Sequence, residues 1–327
     1  MLLLVTGAGG FIGTHVRRAA AAAGLRVVTA GRSCPPGSPE HRRVDLAEDG
    51  AAAVAAMLGA VAPDAVVNCT GATGGESGAL VGANLTGAAT LAGAMLLAGL
   101  SGRLVHIGSA AEYGPSEPGV PVCEHSAARP AGLYGITKLA GTKLVELAAT
   151  AGLDAVVLRV FNPVGPGAPP TTLAGGLAAQ LRRALRDGTP VRTGPLDAMR
   201  DFVDARDVAD AVVAAATAPA VPHAVLNVGS GRAVQARALA DLLAAVSGYQ
   251  GTVVEDAGRA GRSARIAWQQ ADIGLAARVL GWAPHRDLGT SLTDLWEASL
   301  DPSDGVHQRR AGNDRAAAGG ARILPSG

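Results

Sequence analysis

Short apolar runs alternate with longer stretches of helical periodicity from the first residues onward. That order predicts a doubly wound α/β architecture, a parallel sheet with helices on its faces. Strands are expected at residues 2–6, 25–30, 65–68, 103–107 and 155–160, and helices at 11–23, 49–60, 79–98 and 134–151. Pro163, Pro166, Pro169 and Pro170 interrupt the alternation and mark entry into a smaller second lobe. Helices near 171–186, 235–247, 272–280 and 288–300 and a strand near 252–255 build that lobe, while residues 201–216 and a strand at 225–228 return to the first. The expected organisation is a doubly wound sheet domain over residues 1–163, completed by 201–229, and a mixed α/β lobe from 164–200 and 230–300. After Asp301 the chain is rich in Gly, Ala and Arg without apolar periodicity, and residues 301–327 are expected to be a disordered tail.

Composition narrows the class. Hydrophobic residues make up 48% of 327 positions, ample for a core, yet aromatics are only 3%, so alanine, valine and leucine must supply most of the buried area. A formal net charge of +1 with dispersed lysines and arginines offers neither a nucleic-acid footprint nor a polybasic membrane patch. Cys34, Cys69 and Cys123 are far apart, which suits a reducing compartment and argues against disulfides and structural zinc. The 7 histidines show no metal-ligand spacing. No basic leader precedes Leu2, and apolar stretches such as 51–62 are too short to span a bilayer, so a cytoplasmic location is expected.

The first strand runs directly into Thr6-Gly7-Ala8-Gly9-Gly10-Phe11-Ile12-Gly13 and then an alanine-rich helix. Gly7, Gly10 and Gly13 suit a tight turn, close approach to a pyrophosphate, and close packing of helix on strand. The helix N-terminus offers unpaired N–H groups to the anion. Farther on, Tyr134 and Lys138 stand four apart, which puts phenol and ammonium on one helix face. A free phenol with a pKa of about 10 is a poor acid or base at neutral pH, and an adjacent cation favours its ionisation. Ser109 supplies a hydroxyl partner. Such a pair also occurs on helices as packing plus a solvated charge, so the spacing alone leaves both readings open.

Gly7-x2-Gly10-x2-Gly13, Ser109 and Tyr134-x3-Lys138 together resemble the extended short-chain dehydrogenase/reductase family, whose members mostly act on nucleotide-linked sugars. The likeness runs from Met1 to about Leu300. Residues 108–115, 161–167 and 194–204 are similar to GDP-4-keto-6-deoxymannose reductases and related sugar 4-ketoreductases. The resemblance implies a Rossmann domain, a nicotinamide cofactor and a homodimer formed through the helices at 79–98 and 134–151. It assigns the cofactor to Gly7, Gly10, Phe11, Ile12, Gly13, Asp45, Leu46, Asn68, Tyr134 and Lys138, and catalysis to Ser109, Tyr134 and Lys138. Asn84 matches the family asparagine that supports a proton relay through water, although satisfying buried backbone groups is an equal alternative. Asp45 could likewise cap the turn that follows it.

Cofactor choice is argued from the end of the second strand. NAD enzymes usually place an acid there for the ribose 2′-hydroxyl, whereas Arg32 and Ser33 suit a 2′-phosphate, so NADP(H) is expected over NAD(H). The residues after Ser109 narrow the reaction. Where sugar dehydratases of the family carry Asp-Glu, this chain has Ala110 and Ala111, and an alanine cannot transfer a proton. The related reductases often have Glu in place of Ala111, a departure here; Glu112 is read as a substrate contact or a solvated rim carboxylate. Asn162, Arg200 and Arg262 are expected to hold the diphosphate or sugar, with Arg259 and Arg265 as substitutes for the last. The expected function is NADPH-dependent reduction of a nucleotide-diphosphate 4-keto-6-deoxysugar. A 4-epimerase with tightly held NAD and a non-catalytic NADP-sensing regulator are the alternatives.

Overall fold

The computed structural model of the chain describes residues 1–259 and 266–299. Seven parallel strands form its sheet: β1 (Leu2–Thr6), β2 (Arg26–Gly31), β3 (His41–Arg43), β4 (Ala65–Asn68), β5 (Arg103–Ser109), β6 (Ala155–Val160) and, after four two- or three-residue strands described below, β11 (Val225–Val228). The spatial order is β11-β6-β5-β4-β1-β2-β3. Chain direction across the sheet reverses between β1 and β4, and ligands of such sheets bind outside the carboxyl ends of the strands at that point. This is the doubly wound Rossmann architecture expected from the sequence.

Alternation along the strands explains the two cores. Leu3, Val5, Val67, Val105, Val156 and Leu158 face one layer, which holds α1 (Phe11–Ala22), α7 (Ala205–Thr217) and α9 (Gly274–Leu280). Leu4, Val66, Leu104 and Val157 face the other, formed by α2 (Gly50–Val61), α4 (Gly87–Leu97) and α5 (Leu133–Thr150). Both faces are covered, which is why these strands read as continuous apolar runs.

The single helix expected at 79–98 is instead α3 (Ser77–Val81), a π-helical turn at Gly82–Thr86, and α4. Asn84 lies in the π turn, a geometry that inserts an extra residue and is frequent at functional sites. By length and composition, Ser77–Leu97 is apolar enough to cross a membrane, at 21 residues and mean hydropathy 1.6, which corrects the expectation that every apolar stretch is too short. In this fold it packs against α2 and α5.

The second lobe has its own core, in which Leu177 and Leu181 of α6 (Leu173–Asp187) meet Leu239 and Leu243 of α8 (Ala236–Ser247) and Leu292 and Trp296 of α10 (Leu288–Ala298). Short ladders tie it together: β7 (Pro163–Val164) with β10 (Val203–Asp204), β8 (Arg192–Thr193) with β13 (Val254–Glu255), and β9 (Met199–Asp201) with β12 (Ala233–Gln235). Of these only β13 was expected, and β3 was missed as well. Two- and three-residue strands are too short to print a period. The expected tail at 301–327 lies outside the described residues.

Candidate active site

The glycine turn closes the carboxyl end of β1. Gly7 adopts φ +64°, and a β-carbon there would lie 2.6 Å from the backbone carbon of Cys69 at the end of β4. The turn and the chain leaving β4 thus pack backbone to backbone. Gly10 N donates to the Gly7 carbonyl at 3.0 Å, and Gly10 caps α1 without any side-chain acceptor. An α-helix N-terminus with no side-chain cap, at a glycine turn whose close packing admits no β-carbon, fits a pyrophosphate. Phe11 and Ile12 open the helix, both half-buried.

Arg32 and Ser33 follow β2 directly and are exposed. The loop after them folds back toward the turn: Arg17 of α1 donates to Ser38 Oγ at 2.6 Å and to the Pro36 carbonyl at 3.2 Å, and Pro35 lies against Gly9. Glu40, an acid near this edge, is engaged by Arg42 at 2.7 Å. Asp45 uses Oδ1 to accept from Ala47 N at 3.0 Å, so its side chain caps the turn as the alternative reading had it; Leu46 is buried in the core beside it.

The Ser109 hydroxyl stands where β5 passes into a 3₁₀ turn, Ala110–Glu112. Its Oγ accepts from Ala111 N at 3.2 Å and retains its own proton to donate. The first turn of α5 is pressed onto this turn at Gly135, where a β-carbon would come within 2.5 Å of the Ala111 carbonyl oxygen. Tyr134, half-buried, is the residue immediately before it. One turn on, Lys138 is buried and its Nζ donates to the Ile107 carbonyl, two residues before Ser109. Burial pulls the Lys138 ammonium below the ordinary lysine value, and the Glu112 carboxylate opposes that shift. Ser109, Tyr134 and Lys138 therefore belong to one strand end and the helix packed on it.

Several expected contacts prove to be internal. Glu112 is fully buried: Oε1 accepts from Ser109 N at 2.7 Å and Oε2 from Arg159 Nε at 2.7 Å, so it is neither a substrate contact nor a rim carboxylate. Asn68 was assigned to the cofactor, but its side chain is buried, accepting from Thr6 Oγ1 at 2.9 Å and Thr70 N at 3.0 Å and facing His106 Nδ1 at 3.1 Å. Only its place at a strand end brings it near the cleft. Asn84 spends its amide on both backbone groups of Ala72, at 2.9 Å each, and on Thr137 Oγ1 at 3.1 Å. Its side chain thus satisfies buried backbone groups, the alternative that the sequence left open. Arg200 is buried and donates to the carbonyls of Met199 and Ile266, and burial lowers its pKa, so it does not extend into an open cleft as a phosphate clamp would. Asn162, half-buried, donates Nδ2 to the Asp201 carbonyl at 2.9 Å. Arg262 and Arg265 lie outside the described residues, as does the side chain of Arg259.

Sequence reading missed the layer behind the site. Arg159 sits 4.5 Å above the Tyr113 ring, and Tyr113 OH donates to Asn227 Oδ1 at 2.7 Å. Burial pushes the Tyr113 phenol up to about 12, so it stays a neutral donor. A readable signal existed for one of these contacts: Ser109-x2-Glu112 has the spacing of a capping box. The fold also gathers Asp207, Asp210 and His285, with ligand atoms within 4.8 Å of one another, which no spacing announced. Asp207 there is paired with the Arg286 guanidinium and accepts from the amides of His285 and Arg286.

Known proteins resemble this chain in sequence and fold. The sequence profile described as the NAD dependent epimerase/dehydratase family matches residues 3–229. The chain is 37% identical over 300 residues to a dTDP-6-deoxy-L-talose 4-dehydrogenase (NAD(P)(+)) of Kitasatospora kifunensis, covering 90% of this chain and 94% of that one. It is 30% identical over 313 residues to the GDP-6-deoxy-D-mannose reductase of Pseudomonas aeruginosa, covering 91% and 98%. Its fold matches MoeE5 in complex with UDP-glucose and NAD with a TM-score of 0.80 at 28% identity, over 95% of this chain and 99% of that one. With the match running from β1 through the glycine turn, Ser109 and Lys138 to the end of the sheet, the chain belongs to the NAD dependent epimerase/dehydratase family.

Proposed function

We propose that this nucleotide-sugar enzyme reduces the 4-keto group of a nucleotide-diphosphate 4-keto-6-deoxysugar with NADPH. The carrying observation is the turn after Ser109: Ala110 and Ala111 offer no proton-transfer group, and Glu112 is turned inward onto Arg159. Elimination of water needs an acid and a base beside the hydroxyl, and this turn supplies neither. What remains is chemistry at a carbonyl. The nicotinamide cofactor whose pyrophosphate Gly7, Gly10 and Gly13 would hold supplies a hydride when bound. Arg32 and Ser33 would meet its 2′-phosphate. Ser109 would donate a hydrogen bond to the sugar carbonyl oxygen, Tyr134 would give that oxygen its proton, and Lys138 would favour the phenolate left behind.

A 4-epimerase uses the same Ser109, Tyr134 and Lys138 but keeps its nicotinamide through both half-reactions. The exposed Arg32 at the end of β2, where an acid would favour NAD, supports the reductase. The test is NADPH oxidation against GDP-, dTDP- and UDP-linked 4-keto-6-deoxysugars. Consumption equal to the 4-hydroxy product formed is expected. NAD that copurifies with the protein, together with interconversion of 4-epimers and no net NADPH consumption, would replace this reading with the epimerase.

The same family reading makes the protein a homodimer through α4 and α5. Leu97 and Leu147, on those helices, are 68% and 64% exposed, leaving large apolar side chains to be covered. Light scattering on a sizing column at micromolar concentration checks the dimer.

A further inference from the structure

We propose that Glu112 is the positioning residue of the Ser109 hydroxyl, with Arg159 as the counter-ion that holds it. A fully buried carboxylate is expensive, and replacing a buried ion pair by apolar groups is often neutral or stabilising, so stability alone gives weak reason for one at this place. Its location gives a stronger reason. One oxygen fixes the Ser109 amide at 2.7 Å, and the other is fixed by Arg159 Nε at 2.7 Å. The carboxylate lies directly against the strand: a β-carbon on Gly108 would come within 2.9 Å of Glu112 Oε1. The backbone that carries the hydroxyl is therefore held from behind, while Ala111 N holds Oγ from the other side.

The counter-ion is itself braced. Arg159 lies over Tyr113, Tyr113 donates to Asn227, and Asn227 donates Nδ2 to the Val122 carbonyl at 2.9 Å. This chain crosses from β5 through β6 to β11 and gives Glu112 no alternative position. Glu112 also acts on the second catalytic group: once burial has lowered the Lys138 pKa, its carboxylate is the strongest influence raising it again. Glu112, Cys69 and His106 are ionisable groups that interact with Lys138, and Tyr134 shares its helix face. One carboxylate thus holds the Ser109 amide and opposes the loss of charge on Lys138.

The proposal rests on the reductase reading for its kinetic test. Glu112→Gln combined with Arg159→Met keeps an acceptor for the Ser109 amide and leaves no buried orphan charge. Relative to wild type, the double variant is expected to melt within a few degrees, to hold NADPH and the 4-ketosugar within about threefold, and to lose kcat by ~30-fold or more. The basic limb of its kcat–pH profile should move to lower pH, because Lys138 loses its charge sooner without Glu112. Wild-type kcat with an unmoved basic limb overturns the proposal, since a purely structural pair would give that result. Hydrogen exchange at the Ser109 amide is read alongside, in Glu112→Ala and Glu112→Gln. Exchange faster by about tenfold or more in the alanine variant, and restored toward wild type by glutamine, is expected whichever sugar reaction the enzyme performs. Unchanged protection in Glu112→Ala overturns the proposal independently. A wild-type protein that reduces no 4-ketosugar, yet shows this exchange pattern, removes the reductase reading and leaves the positioning role standing.

Discussion

Gly13 lies so close to Gly7 that a β-carbon on it would sit 2.3 Å from the Gly7 carbonyl oxygen. The obstacle is backbone, and no rotamer relieves it. Gly13→Ala is therefore expected to push α1 away from the turn and weaken NADPH binding by ~30-fold or more, read as quenching or enhancement of nicotinamide fluorescence on titration. Undiminished affinity would separate this turn from the cofactor.

Tyr134→Phe removes the hydroxyl and keeps the ring, which is half-buried at the start of α5. Turnover of the 4-ketosugar should fall by about a thousandfold or more while NADPH affinity changes by less than about threefold. Near-normal turnover would transfer the proton-donor role elsewhere.

Arg32→Ala tests the cofactor assignment separately from the chemistry. The expected result is a rise of about tenfold or more in the KM for NADPH, with the KM for NADH nearly unchanged, since the guanidinium would pair with the 2′-phosphate that NADH lacks. Equal loss for both cofactors would instead mark Arg32 as a support of the loop.

Asp201 is fully buried and accepts from Ser230 N and Oγ at 2.6 and 2.7 Å, and from Gly231 N and Ala271 N at 3.0 Å each. It joins β9 to the segment after β11 and to the chain leading into α9. Asp201→Ala leaves these donors without their acceptor and should lower unfolding free energy by about 3 kcal/mol, measured by urea denaturation. A loss near zero would show that water replaces the carboxylate.

The pH dependence of stability has a defined sign at His106. Burial first, and then the Lys138 charge, hold its pKa well below the ordinary value of 6.5. Asn68 spends Oδ1 on Thr6 and Thr70, so its amide nitrogen faces His106 Nδ1 and the neutral ring accepts there. As pH falls the unfolded chain takes the proton first, so this contribution is complete above 6.5 and is lost as pH drops toward the folded value. His15, lowered chiefly by burial, adds the same sign. The urea midpoint should fall between about pH 7 and about pH 5, and more gently in His106→Gln, with a slope of at most ~1.4 kcal/mol per pH unit from this one group. Parallel profiles for wild type and variant would assign the acid sensitivity to other groups.

Much of the molecule was legible because it is local. Strands β1, β4, β5, β6 and β11 announce themselves as apolar runs, the glycine turn by spacing between a strand and a helix, and Tyr134 with Lys138 by one turn of α5. Each of these depends on residues within a few positions of one another, where backbone geometry alone settles which side chains share a face. The absence of a proton-transfer group at Ala110 and Ala111 is equally a matter of residue identity.

The roles of Glu112, Asn68 and Arg200 were decided only by tertiary structure. Their partners Arg159, His106 and Ile266 stand 47, 38 and 66 residues away in the chain. Whether a polar side chain faces the cleft or the interior depends on which strands become neighbours, and a buried polar group must then bond to whatever that packing brings within reach. The sequence by itself determined the longer strands, the glycine turn and the placing of Tyr134 and Lys138 on one helix face. Packing decided that Glu112 stands behind the hydroxyl and not in front of it, because a carboxylate closed off from water is stable only where Arg159 and the Ser109 amide meet it.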